Sequence, residues 1–255
     1  MIALSAGAAG AAIGAVLGAI AGSFLSTLIL RWPEGRSAMK GRSACDQCGH
    51  VLRPWELVPL LSALWLRGKC GRCGAAISNT HFSVELGCAG IGALFMGMAP
   101  GIDGFGWALL GWVLLTLAIF DWRHFWLPDA LTLPLIFLGL TLGMWTNDVA
   151  LTDRVIGAAA GYGVLLALAL GYRAWRGRDG LGLGDAKLLA GLGAWMGWMS
   201  LPFLLLIASV LGLLAAGVAA VRGHDVSRTT RVPLGTLLCV APFPAWVASR
   251  VLLGG

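Results

Sequence analysis

Residues 188–221 read LLAGLGAWMGWMSLPFLLLIASVLGLLAAGVAAV, 34 consecutive positions without an Asp, Glu, Lys or Arg. As a single helix rising 1.5 Å per residue they would extend about 51 Å, well beyond the roughly 30 Å of hydrocarbon in a bilayer. Ser200-Leu201-Pro202 offers the break, because proline donates no backbone hydrogen bond and its ring crowds the preceding turn. The stretch therefore reads as two consecutive membrane spans. Six more uncharged runs, 1–30, 86–102, 104–120, 130–147, 155–172 and 232–249, each approach the length of one span. Eight spans of about 20 residues would occupy roughly 160 positions.

Composition agrees. Of 255 residues, 58% are hydrophobic and 12% charged, with a mean hydropathy of +0.83, which excludes disorder and an ordinary water-soluble domain. The expected fold is an all-α polytopic bundle of eight membrane spans: 1–30 as the first span, 31–81 as a loop domain, and 82–255 as a seven-span membrane domain. A cleaved signal peptide is the alternative for 1–30, but the segment has no basic beginning and its apolar stretch is about twice too long. Within it Gly10, Gly14, Gly18 and Gly22 recur at every fourth residue, placing four glycines on one face where a neighbouring backbone can come close.

With eight spans the loops fall into two alternating sets, and sixteen of the eighteen Lys and Arg lie in one of them. Arg154 and Arg250 alone belong to the other. The positive-inside rule makes the rich set cytoplasmic and puts both termini outside. The net charge of +6 is then a consequence of topology, and no nucleic-acid partner is expected. The twelve tryptophans fit an interfacial belt, as in Trp195-Met196-Gly197-Trp198.

The 31–81 loop carries Cys45-Asp46-Gln47-Cys48-Gly49 and Cys70-Gly71-Arg72-Cys73-Gly74. Two such knuckles turn four thiolates inward, the tetrahedral preference of Zn(II), and four protein ligands leave the ion no open position for chemistry. Disulfides compete, but they rarely persist in a reducing cytoplasm. Structural zinc on Cys45, Cys48, Cys70 and Cys73 is the expectation, with His50 as a substitute ligand. Cys88 and Cys239, alone in apolar spans, read as small core residues.

Two carboxylates stand at membrane edges. Asp121 ends the third span in Phe120-Asp121-Trp122-Arg123, and Asp185 opens the sixth in Gly182-Leu183-Gly184-Asp185-Ala186-Lys187. In the eight-span topology both reach the same cytoplasmic face. Two carboxylates in one partly desolvated site share a proton, so that one acts as base toward water and the other as acid toward a carbonyl, the chemistry of an aspartic protease. The alternative is that each caps its helix or pairs with Arg123 or Lys187. Asp129 suits an N-cap of the fourth span, and Glu85 is expected close enough to water to stay charged.

In this order the pieces resemble the type IV prepilin peptidase family, the bacterial leader peptidase/N-methyltransferase, over nearly the whole chain. The likeness is carried by Gly22-Ser23-Phe24-Leu25, the two cysteine pairs, Pro54-Trp55-Glu56-Leu57-Val58-Pro59-Leu60-Leu61-Ser62 between them, Leu66-Arg67-Gly68-Lys69-Cys70, the Asp121 segment ending Leu127-Pro128-Asp129, and the Gly182–Lys187 segment. The GxGD arrangement is also similar to that of presenilin-type intramembrane aspartic peptidases. The resemblance implies a multi-pass protein of the bacterial inner membrane that cuts the basic leader from prepilins or pseudopilins at the cytoplasmic face. It implies Asp121 and Asp185 as the catalytic pair, no metal in the cleavage, and methylation of the new N-terminal residue with S-adenosylmethionine. No stretch of the sequence marks a pocket for that donor.

Three positions depart from the family's usual pattern. Ser26 stands where asparagine is usual, Thr80-His81-Phe82 where an Arg-Tyr-Pro run is common, and Val232-Pro233-Leu234-Gly235-Thr236 where Pro-Phe-Gly-Pro is common. Two rival readings belong to other classes. A proton-coupled transporter would want carboxylates near the bilayer midplane, and a noncatalytic scaffold of a pilus or secretion machine would use the zinc loop for docking.

Overall fold

The computed structural model describes residues 2–177, 181–222 and 233–244. Arg178, Arg228, Arg231, Val232 and Arg250, which entered the charge count and the motif comparison, lie outside them, as does the end of the 232–249 run. Nine α-helices occur among the described residues: α1 (Ile2–Arg31), α2 (Leu61–Trp65), α3 (Asn79–Met98), α4 (Ile102–His124), α5 (Asp129–Thr141), α6 (Leu151–Arg176), α7 (Leu183–Met196), α8 (Leu201–Val221) and α9 (Leu234–Val240). There is no strand among these residues, only two isolated bridges, so the all-α expectation holds.

The count of eight spans is not confirmed. Among the described residues five helical stretches are long and apolar enough to cross a membrane: Ala6–Glu34, Asn79–Met98, Ile102–His124, Leu151–Arg176 and Trp198–Val221. The uncharged runs include turn residues and short helices, which a count of runs does not separate from full spans. The 130–147 run is α5, interrupted by Pro134 and finished by a 3-10 turn at Leu142–Trp145. The long run breaks at Gly197, with φ 77°, and a 3-10 turn at Trp198–Ser200, which runs into the expected Ser200-Leu201-Pro202. Its first part, α7, has 14 residues, about 21 Å of helix. That falls short of a bilayer.

By contacts the chain divides into two compact units, Met1–Thr116 and Leu117–Gly255. In the first, α1 and α3 lie antiparallel with their backbones touching. A methyl group on Gly14 would sit 2.1 Å from the Gly92 carbonyl oxygen, one on Gly18 2.1 Å from that of Cys88, and one on Gly10 2.2 Å from that of Met96. The four-residue glycine repeat thus does close two backbones, and its partner is α3. The start of α4 packs on the same helix, with Trp112 donating its indole N–H to the Cys88 carbonyl at 2.8 Å.

In the second unit α7 is the axis. All eight residues from Leu188 to Trp195 are buried, because α5 and α6 cover it from different sides. Gly157 of α6 meets Gly193 of α7 backbone to backbone, and Gly139 of α5 abuts Ala194 and Trp195. Trp195 is fully buried, donating its indole N–H to the Leu135 carbonyl at 3.0 Å. It is a core residue and not part of an interfacial belt. Helix α8, by contrast, leaves Leu206, Leu213 and Leu214 exposed along its length, the apolar surface that lipid covers in a membrane protein.

Candidate functional site

Asp121 and Asp185 come together inside the second unit. Asp121 lies in the last turn and a half of α4, is 6% exposed, and faces α9. The Thr236 backbone N–H donates to its Oδ2 at 2.6 Å, and the Thr236 hydroxyl lies 3.1 Å from the same oxygen and 3.1 Å from the Ala118 carbonyl. Gly235 permits this approach, since a methyl group there would be 3.0 Å from the Asp121 carboxyl carbon. Asp185, half-buried in the first turn of α7, accepts from the Gly182 backbone N–H. The helix-capping alternative is therefore partly realised for Asp185.

Leu127 joins the two sides. Its side chain fills the space that a Cβ on Gly184 would take, at 2.9 Å, and its Cδ1 is 2.9 Å from the same position on Gly235. The chain reaches this geometry through Phe125, held at φ 49° directly after α4, a left-handed conformation uncommon for an aromatic residue. Asp121 and Asp185 lie close enough for the charge of one to bear on the other. Lys187, offered above as a partner of Asp185, instead grips Asp129 at 2.7 Å to each oxygen. Asp129 consequently does not cap α5; Pro128 precedes it as the N-cap. What the sequence did not reveal is Thr236, 115 residues from Asp121, and the departure from the family run at that position was its only signal.

The first unit holds the cysteine cluster. Each pair closes the same small knuckle: Cys45 N–H to His50 O at 2.9 Å with Gly49 N–H back to Cys45 O, and Cys70 N–H to Ala75 O at 2.8 Å with Gly74 N–H back to Cys70 O. Gly49 and Gly74 stand at φ 68° and 71°, which side chains resist. The four Sγ atoms lie within 4.8 Å of one another, with Cys45–Cys73 at 3.9 Å and Cys48–Cys70 at 4.0 Å. Sulfurs arranged tetrahedrally at the Zn–S distance are about 3.8 Å apart, so the cluster fits one thiolate-held ion. The Cys73 backbone and then the Arg72 N–H hold the Cys70 thiol down at about 6, toward the form that binds metal. His50 is not a fifth candidate: its Nε2 is 3.3 Å from Glu56 Oε2, which also accepts from Arg53 N–H at 2.8 Å.

Cys88 and Cys239 are core residues, 0% and 1% exposed. Glu85 departs from expectation. It is 6% exposed, and its Oε2 accepts the Leu60 N–H at 2.8 Å. Leu60 sits at φ 61° in a γ-turn closed by Leu61 N–H to Pro59 O at 2.7 Å, a strained conformation that needs such a hold.

Comparison with known proteins gives a consistent result. The Bacterial Peptidase A24 N-terminal domain matches residues 16–98, and the Type IV leader peptidase family matches residues 108–217. A prepilin leader peptidase/N-methyltransferase of Aeromonas hydrophila is 43% identical over 212 residues, 82% of this chain and 71% of the relative. One of Pseudomonas aeruginosa with the same description is 40% identical over 211 residues, 81% of this chain and 70% of the relative. No solved structure matches.

Proposed function

The chain belongs to the type IV leader peptidase family, and on that premise we propose that it is an aspartic endopeptidase of the bacterial inner membrane. It removes the basic leader of prepilins or pseudopilins at the cytoplasmic face and then methylates the new N-terminal residue. The observation that carries the peptidase is the meeting of Asp121 and Asp185 across Leu127. Because Oδ2 of Asp121 accepts from Thr236, a proton shared by the pair resides on Oδ1 or on Asp185. Water lying between the carboxyls loses its proton to one of them and attacks the scissile carbonyl, while the neutral partner protonates the leaving amine. The substrate's apolar stem lies along lipid-facing helices, and its basic leader extends into the Lys- and Arg-rich loops. Residues 1–30, 31–81 and 82–255 act as anchor, zinc domain and membrane peptidase domain.

The reading is tested by incubating the protein in lipid with a prepilin-like peptide and S-adenosylmethionine, and weighing the products. Cleavage after the leader's final glycine and a gain of one methylene mass on the mature N-terminus are expected; an intact peptide after incubation with folded protein refutes it. Buried carboxylates at the midplane would favour a transporter, but Asp121 lies near the end of α4 and Asp185 at the start of α7.

Thr236 is a positioning residue in this scheme. Thr236→Val keeps the N–H and the shape but removes the hydroxyl, and Thr236→Pro removes the N–H as well. Hydrogen bonds to a charged group contribute about 1.5–3 kcal/mol, so kcat should fall roughly 10- to 100-fold, more for proline, with KM unchanged and activity regained in Thr236→Ser. Equal losses in Ser and Val would assign Thr236 to packing alone.

Zn(II) is the ion we assign to Cys45, Cys48, Cys70 and Cys73, with a structural role because all four positions are filled by protein. In zinc-finger peptides such binding provides roughly 10–16 kcal/mol of apparent folding energy. Cys48→Ser should therefore abolish stoichiometric zinc in elemental analysis and leave residues 36–78 open to protease. Full zinc content in that variant would overturn the assignment.

A further inference from the structure

The methyl-transfer half of the proposed function has no residues assigned to it, and the first unit contains a cavity suited to it. About 150 Å³ in volume, it lies between the last turns of α1 (Ser23, Arg31), the start of α3 (His81, Glu85) and the loop domain (Glu56, Gly68). That is about the space of five water molecules, room for the reacting end of a donor and an amine while the adenosine extends outward. Of the three departures from the family's usual pattern, His81 lines this cavity, and Ser26, fully buried behind it, has its Oγ 2.7 Å from His81 Nδ1.

This contact fixes the imidazole. Ser26 has one hydroxyl hydrogen, and it is directed to the Ser23 carbonyl at 2.8 Å. Its oxygen must then accept from His81, so Nδ1 carries the hydrogen and Nε2 keeps its lone pair. No protein group among the described residues occupies Nε2. One turn further along α3, buried Glu85 holds Leu60 with Oε2, and among the described residues Oε1 has no hydrogen-bond partner. The cavity's cations differ in the same way. Arg36 is committed to Glu34 at 2.6 Å and Asp46 at 3.1 Å, whereas Arg31 has no acidic partner among the described residues.

We propose that this cavity is the methyl-transfer site, that it takes the cationic sulfonium of S-adenosylmethionine beside Glu85, and that His81 Nε2 is the base. This rests on the transferase reading above. Arg31 suits the donor's carboxylate, and the buried Glu85 carboxylate suits a positive charge. The N-terminal ammonium of the cleaved substrate gives a proton to Nε2. The amine lone pair attacks the methyl carbon, the C–S electron pair returns to sulfur, and the products are a methylated ammonium and neutral S-adenosylhomocysteine. His81 then releases its proton to water.

Two measurements on the full-length protein in lipid test this. The first is calorimetric binding of S-adenosylmethionine against S-adenosylhomocysteine, which lacks the positive charge. The wild type should prefer the sulfonium about 10-fold or more, and Glu85→Gln should erase that preference while retaining the thioether. The second is product mass with His81→Gln, which should cleave normally and deliver unmethylated product, with His81→Ala behaving alike. Retained preference in Glu85→Gln, or full methylation by His81→Gln, overturns the site. A wild type that cleaves but never methylates refutes the transferase reading itself, which separates the two failures. Intact cleavage in the variants shows that they are folded.

Discussion

Asp185→Asn and Asp121→Asn should each lower kcat for leader cleavage by at least about a thousandfold, with KM and zinc content unchanged. The size follows from mechanism: removing one member of an acid–base unit disables the whole unit, and comparable losses in other proteases are about 10⁴-fold or more. Asparagine is chosen because the surroundings tolerate it. At position 121 the amide oxygen can still accept from Thr236 N–H, as Oδ2 does at 2.6 Å, and at 185 it can still take the Gly182 N–H. Size, helix capping and packing against Leu127 persist, and only ionisation is lost. Peptide cleavage is read by mass spectrometry, with thermal unfolding confirming the fold. Cleavage within a few-fold of wild type by either variant would remove the dyad from the mechanism and move the weight to a scaffold.

The sequence revealed one half of this site and concealed the other. Asp121 and Asp185 could be singled out because an acidic residue at the end of an apolar run is costly and stands out against it. The cysteine pairs were legible because metal geometry acts within five residues at a time. Thr236 and the Ser26–His81 pair were not, since their contacts span 115 and 55 residues and follow from how helices pack. The count of eight spans, which the described residues do not confirm, rested on hydropathy alone. Hydropathy registers the absence of charge, and it cannot tell a helix that crosses lipid from α7, which is apolar all round because other protein encloses it.

Arg154 is where that difference is greatest. The charge count placed it in the sparsely charged set of loops, yet it is 0% exposed and within α6. Among the described residues its guanidinium meets no carboxylate. Instead Nη1 donates to the carbonyls of Gly139, Ala194 and Trp195 at 3.3, 3.1 and 2.7 Å, Nη2 to Gly143 at 2.6 Å and to the Asn147 side-chain oxygen, and Nε to Val149 at 3.1 Å. These are the last carbonyls of α5 and α7 and of the turns that follow. Helix ends leave such groups unpaired and carry partial negative charge, which a cation offsets. One side chain therefore closes the ends of two helices and ties them to α6. Gly143 is part of the arrangement, because a methyl group there would be 2.4 Å from Nη1.

Arg154→Met, similar in length but without donors, should then orphan several buried carbonyls at about 1–3 kcal/mol each, a loss comparable to the whole stability of many domains. The variant should insert but unfold in its second unit at far lower temperature, losing cleavage with it. Arg154→Lys, which has three donors and no planar fork, should be intermediate. Zinc content, a property of the first unit, should stay at wild-type level in both. A Met variant with wild-type unfolding temperature would mean that water replaces the guanidinium at these helix ends, and that the buried charge is not what joins α5, α6 and α7.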